Sequence, residues 1–393
     1  MSVSERKRRL REKLEDRFGH GERPRYFRAP GRVDILGSHT DYNEGFILAS
    51  SIDRDVMAAG RLRDDGVLNL HSLNTHLEVR VNLDDLNYDE EHGWANYPKG
   101  VVYELLKAGV PVEGADLVFH GEVPVGGNLS SSAALEAATC IAVLGMLNHH
   151  LPVWEQIHLC RRAENEFVGM PCGILDQFTV FMAESDTALF LDCRTLQFDR
   201  LPFPPGDALV VIDSGVGREL VGSRYPERRK ECDEAVRILR GVNPGINTLR
   251  DVTLEMLESS GNQLPDIIFR RARHVVSENK RVLAAKDALK ERNLSELGRL
   301  MEEGYRSSRD DYEISTPELD TLHDLCTKVS GVLGTRIAGA GWGGCLVSLV
   351  ERDREDDLKK IVVPAYRENF SRDATLNPVR IGPGPGELKD EGE

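Results

Sequence analysis

The stretch that most constrains this chain is a strand that runs into a glycine turn and then into a long helix. Ala115 to Glu122 alternates, with Leu117 and Phe119 set against Val118 and His120, and so predicts a strand. Pro124-Val-Gly-Gly-Asn-Leu-Ser-Ser-Ser-Ala-Ala-Leu135 follows, and a helical pattern runs from Ser132 to Leu147. Gly126 and Gly127 permit a tight turn, and Asn128 is among the few residues that tolerate a left-handed backbone. Leu129 then leads into Ser130, Ser131 and Ser132 at the helix start. Free N–H groups at the positive end of a helix dipole make an anion site. The hydroxyls add donors and possible Mg²⁺ ligands. The same letters also suit a plain strand–turn–helix with a serine cap. No GK[ST] follows, so this is not a Walker loop. No Lys or Arg occurs between Lys107 and Arg161. A phosphate bound here must therefore be held by amides, hydroxyls and a metal.

The 393 residues are enough for two domains, each with its own core. We expect a split near residue 195, into 1–195 and 196–393, with Pro202 to Gly206 as the best linker and a disordered Gly/Pro-rich, acidic tail over 382–393. Residues 1–18 read as a charged amphipathic helix carrying Leu10, Leu14 and Phe18. Strands and helices mix without a strict βαβ alternation, which predicts an α+β fold. Lys plus Arg number 50 against 65 Asp plus Glu, a net charge of -15. That balance argues against nucleic-acid polymers and anionic membranes, but not against a small phosphate ligand. There is no secretory signal and no run long enough to span a bilayer. The seven cysteines are odd in number and include no CxxC pair, which reads as reduced thiols in a cytoplasm.

Gly31-Arg-Val-Asp-Ile-Leu-Gly-Ser-His-Thr-Asp-Tyr-Asn-Glu-Gly45 gathers charge in one loop between strands. Asp41 can accept two hydroxyl protons, His39 can donate or accept, and Arg32 can face a phosphoryl group, so the loop suits a polyhydroxyl ligand. A solvated loop with an Asp41-capped turn fits as well. Asp176, after Gly173-Ile-Leu, reads by itself as a helix cap. Arg228 to Lys230 read as a solvated helix face. Trp94, in Trp-Ala-Asn-Tyr-Pro-Lys-Gly100, could stack on a ring or simply pack.

Pro124 to Leu135 resembles the second signature of the GHMP small-molecule kinases, with Asn128 for the usual third glycine. Residues 31–45 resemble the galactokinase form of the first signature, with Asp34 for Asn and Ser38 for Glu. Ala163 to Gln177, Leu220 to Cys232 and Arg309 to Asp320 are similar to further galactokinase segments. Thr335-Arg-Ile-Ala-Gly-Ala-Gly-Trp-Gly-Gly-Cys-Leu346 resembles the third GHMP signature. The motifs occur in family order from about Pro24 to Val350.

The resemblance implies the two-domain GHMP α+β fold with its active site in the interdomain cleft. It implies transfer of the ATP γ-phosphoryl to the anomeric hydroxyl of galactose or a close relative. Asp176 and Arg32 would be catalytic, with Asp176 a base or an electrostatic anchor. Ser38, His39, Asp41, Gly173 and Tyr225 would meet the sugar. Gly126 to Ser132 and Trp94 would meet the nucleotide, and Ser132 and Glu164 would hold Mg²⁺. The expected partners are a small sugar and MgATP, with no nucleic acid and no membrane, on a monomer or weak oligomer. The family glutamate contacts the sugar near C6. Ser38 is shorter and uncharged, so a C6-modified sugar such as galacturonate is an alternative substrate. A non-catalytic sugar sensor, or a kinase for a non-sugar such as mevalonate or homoserine, is a further alternative.

Overall fold

The structure is a computed structural model that describes residues 1–124, 129–170, 172–204, 208–217 and 221–389. Helix α1 (Val3–Phe18) precedes β1 (Arg25–Leu36), β2 (Phe46–Leu62), β3 (Val67–Ser72) and β4 (Glu78–Asn82). Helix α2 (Asn96–Lys107), β5 (Ala115–Gly121), α3 (Ser131–Met146), α4 (Val153–Arg162) and α5 (Leu175–Met182) follow, then β6 (Thr187–Asp192) and β7 (Phe198–Pro202). These seven strands and β12 (Gly386–Glu387) make one eight-stranded sheet, ordered β12-β1-β2-β5-β3-β4, with β6 on β2 and β7 on β6. Only β3 and β5 pair in parallel among the described strands. The sheet therefore runs past residue 195 to Pro202, and the expected linker lies between β7 and the next strand. Pro205 and Gly206 of that linker are outside the described residues.

The rest of the chain forms β8 (Ala208–Asp213), α6 (Val221–Val242), α7 (Leu254–Ser259), α8 (Asp266–Lys290), α9 (Leu294–Asp310), α10 (Pro317–Cys326), β9 (Val332–Ala338), β10 (Cys345–Val350), α11 (Glu355–Phe370), β11 (Thr375–Val379) and β12 (Gly386–Glu387). The second sheet is ordered β11-β8-β10-β9, all antiparallel. Its strands are apolar on both faces because both are covered. Along β10, Cys345, Val347 and Leu349 join the core of the first sheet, while Leu346 and Val350 join a separate core under α6, α10 and α11. Helix α8 serves both cores. Ala272, Val275 and Val276 pack into the second, and Val282, Ala285 and Leu289 into the first.

Leu10 and Leu14 of α1 are fully buried against Tyr26, Met57 and Val118 on the outer face of the first sheet. The expectation of a disordered tail is corrected for residues 382–389. Gly386 and Glu387 pair with β1, Arg25 bonds Glu387 at 2.7 Å, and Lys7 Nζ donates to the Leu388 carbonyl at 3.0 Å. The acidic, glycine-rich composition is held by backbone pairing, which composition does not report. No helix among the described residues is long and apolar enough to cross a membrane.

Candidate active site

Residues 125–128, and with them Gly126, Gly127 and Asn128, are outside the described residues. The loop is placed from its far end. The buried Leu129 carbonyl accepts the Arg32 amide at 3.0 Å. That approach needs Gly31, since a Cβ there would stand 2.6 Å from the same carbonyl oxygen. Ser130 takes a left-handed backbone, φ 52°, at the start of α3. Such a conformation costs a non-glycine residue about 1–3 kcal/mol and collects at functional sites. Ser130 makes no cap bond; its Oγ donates instead to Asp176 Oδ2 at 2.5 Å. Ser131 and Ser132 open the helix, where first-turn amides have no intrahelical partner.

Asp176 lies in the first turn of α5 without capping it. Its Oδ1 receives Arg32 Nε at 3.0 Å and Arg32 Nη2 at 2.7 Å. Arg32 is buried, while the Asp176 side chain keeps 26% of its surface. Arg32 also pairs with Asp34 at 3.2 Å. Burial raises the Asp34 carboxyl above its ordinary range, and Arg32 and Arg336 oppose that.

The next residue, Gln177, serves another group. Its Nε2 donates to Glu136 Oε2 at 2.9 Å and to Glu164 Oε2 at 2.7 Å. Burial pushes the Glu136 carboxyl well above the usual range, and the Glu164 charge adds to it. Burial and then the Asp176 charge raise Glu164. The nearby Ser132 hydroxyl works against that rise at Glu164, so the two residues expected to hold a metal lie on the same corner. Tyr97 belongs to this corner. Its hydroxyl is pushed up to about 12 by burial and by the Glu164 and Glu136 carboxylates. The sequence reading passed over Tyr97 for its neighbour Trp94. The Trp94 indole packs edge-on to Phe119 in the first core, ring centroids 5.6 Å apart, and its Nε1 finds no partner among the described residues.

Of the residues expected to meet the sugar, Asp41 and Tyr225 lie close enough to feel the Asp176 charge, and Gly173 lies beside Asp41. A Cβ on Gly173 would stand 3.0 Å from Asp41 Oδ2. Burial lifts the Asp41 carboxyl to about 6, with the Asp34 and Asp176 charges adding to it. Burial also raises the Tyr225 hydroxyl, and the Asp41 carboxylate is its next strongest influence. Ser38 and His39 are turned into the protein. Ser38 Oγ meets the Gly339 carbonyl at 3.4 Å. His39 Nε2 lies 3.1 Å from the Ala340 carbonyl and Nδ1 lies 3.0 Å from the Tyr42 hydroxyl. The Ala340 carbonyl can only accept, which places the proton on Nε2 and leaves Nδ1 to accept from the Tyr42 hydroxyl. Burial drops this imidazole to about 4, so it is neutral at pH 7.

Two sets of residues behind this loop escaped the sequence reading. The middle of α8 holds it by its backbone. Glu278 Oε1 accepts the Gly37 amide at 2.8 Å and the Ser38 amide at 3.2 Å, and Asn279 Oδ1 accepts the Phe46 amide at 2.9 Å. Arg228 is corrected from solvated to buried. Its Nε donates to the Tyr312 carbonyl at 2.8 Å, and its guanidinium lies over the Trp342 ring at 5.6 Å. Trp342 sits in the last glycine loop, where Gly339, Gly341, Gly343 and Gly344 all take positive φ. That path is open to glycine and returns the chain sharply beside Ser38 and His39.

A two-sheet α+β chain with a serine-led helix start beside a clustered aspartate is the architecture of a small-molecule kinase of the GHMP class. Residues 96–184 match the family model for the GHMP kinases N terminal domain, and residues 285–369 match that for GHMP kinases C terminal. Residues 12–62 match the galactokinase galactose-binding signature. A galactokinase of Roseiflexus sp. (strain RS-1) is 41% identical over 383 residues, 97% of each chain. A galactokinase of Chloroflexus aggregans is 42% identical over 362 residues, 92% of each. The crystal structure of Lactococcus lactis galactokinase complexed with galactose superposes with a TM-score of 0.90 at 34% identity, covering 97% of this chain and 99% of that one. The Methanococcus jannaschii mevalonate kinase shares the fold alone, with a TM-score of 0.66 at 18% identity, covering 92% of this chain and 99% of that one. The chain belongs to the galactokinase family.

Proposed function

We infer that this chain transfers the γ-phosphoryl group of ATP to the C1 hydroxyl of galactose. The observation that carries this is the position of Asp176. It is bound by Arg32 and by Ser130 of the serine loop, and it adjoins Asp41, Gly173 and Tyr225. The aspartate thus stands where a helix-start phosphate site meets a polar, hydroxyl-binding corner. In the reaction a bond forms between the sugar O1 and the γ-phosphorus, and the bond from that phosphorus to the ADP oxygen breaks. Asp176 accepts or orients the O1 proton, and Arg32 holds Asp176 and faces the transferred group. The loop and first-turn amides from Gly126 to Ser132 cradle phosphate. Asp41 and Tyr225 take sugar hydroxyls, while Ser38 and His39 shape the wall behind them.

Ser132 and Glu164 fit Mg²⁺, being a hydroxyl and a carboxylate on one corner of the site, and Mg²⁺ is commonly held by one or two protein oxygens plus phosphates. The ion supplies neutralisation of the phosphate charge that no lysine offers here.

An ADP-release assay over galactose, galacturonate, N-acetylgalactosamine, glucose and arabinose tests the reading. Galactose should give the highest kcat/KM. A C6-modified sugar is the second reading, favoured by the uncharged, inward-turned Ser38. Preference for galacturonate over galactose would replace the first reading with the second.

A further inference from the structure

Gln177 bridges two buried carboxylates, Glu164 and Glu136. Ser132 and Glu136 are one turn apart on α3 and so share a face, which brings Ser132 to the same corner. Gln177 and Glu136 are completely buried. The amide nitrogen has two hydrogens and uses them on two carboxylates. Turned over, the amide would set its oxygen against the Glu164 carboxylate. Glu164 lies in a π-helical segment, Ala163–Val168, where α4 widens. Such segments re-aim side chains and recur at functional sites. A clasp closes behind it, since Asn165 Oδ1 accepts the Cys172 amide at 2.6 Å and Asn165 Nδ2 donates to the Cys172 carbonyl at 3.2 Å.

We propose that Gln177 is a positioning residue for Glu164. By tying Glu164 to Glu136 it fixes the hydroxyl–carboxylate pair that Ser132 and Glu164 present to a divalent cation. The proposal rests on the reading of Ser132 and Glu164 as the cation's ligands. It gives the consecutive residues 176 and 177 separate duties, the first toward the sugar oxygen and the second toward the metal.

The test is Mn²⁺ binding to the protein with ADP, read by electron paramagnetic resonance, beside galactose binding read by calorimetry. Outer-shell partners are commonly worth 10–100-fold in metal affinity. Gln177→Leu should therefore weaken Mn²⁺ binding by about that factor, with galactose affinity near that of the parent. Glu136→Gln keeps an acceptor oxygen in place and should bind Mn²⁺ like the parent, whereas Glu136→Leu should lose affinity as Gln177→Leu does. Should Gln177→Leu fail to fold, Gln177→Met, unbranched and of similar length, gives the same readout. Parent-like Mn²⁺ affinity in a folded Gln177 variant, with Glu164→Ala weakened, overturns the positioning role alone. Parent-like affinity in Glu164→Ala overturns the ligand reading beneath it.

Discussion

Glu278 and the Glu136–Glu164 pair are buried carboxylates treated in opposite ways. Burial would raise Glu278, but the Arg281 and Arg336 guanidiniums, His274 and the Gly37 amide bring it down to about 2. It is a permanent anion with its cations built in, and it fastens the 37–46 loop to α8. Glu136 and Glu164 form no ion pair among the described residues and share the Gln177 amide, with both carboxyls pushed upward. A charge neutralised by the fold serves structure, whereas one left without a cation is available to a ligand that brings its own.

The largest effect should come from the carboxylate shared by both sides. Asp176→Asn removes a positioned proton acceptor, and kcat should fall by about 10²–10⁴-fold with ATP binding intact. Parent-like turnover would end its assignment. Next is Glu278→Leu, which strands two buried guanidiniums. Denaturant unfolding should show a loss of about 3–5 kcal/mol. A loss under 1 kcal/mol would mean that Glu278 is not the built-in counterion described above. Excess EDTA should abolish turnover, because the basic-free stretch from Ala108 to Cys160 leaves phosphate charge to a divalent cation. Asp41, at about 6, should accept from two sugar hydroxyls only when ionised. The kcat/KM for sugar should therefore fall below about pH 6, roughly tenfold per unit, and Asp41→Asn should flatten that limb.

The smallest effect concerns Glu136. Its folded value lies above the ordinary one, so the folded state binds the extra proton and loses stability as pH rises from the ordinary carboxylate range through the raised value. In EDTA, Glu136→Gln should gain stability over the parent as pH rises above the ordinary carboxylate range. A constant difference would show that Glu136 does not carry its proton into the folded state.

The serine loop was legible because its chemistry lies in local spacing, whereas Asp176 read alone as a helix cap and gained its role only through the family resemblance. Ser130, Arg32 and Asp176 were named from the sequence, and the structure puts them within hydrogen-bond distance. Glu278, Gln177 and Tyr97 were not named, because their role appears only when distant elements meet. Gln177 bonds a residue 41 positions away, and Glu278 bonds one 241 positions away. Arg228 sits in a run of charges that looks solvated, and only the aromatic rings of Tyr312 and Trp342 reveal otherwise. Helix α9 carries an apolar stripe, Leu297, Leu300, Met301 and Tyr305, yet Gly298 and Gly304 weaken its propensity. Gly298 is there for contact, since a Cβ would strike the Leu333 carbonyl on β9 at 2.2 Å.

A helix that belongs to two cores cannot unfold with only one of them. Because α8 contributes Val275 to one and Ala285 to the other, melting either half strips apolar cover from its neighbour. Denaturation should be a single cooperative transition, and a fragment ending near residue 204 should expose the surface that α8 covers and aggregate. The same helix also holds the 37–46 loop through Glu278 and Asn279, so a change in α8 that disturbs one core would reach the loop carrying Asp41.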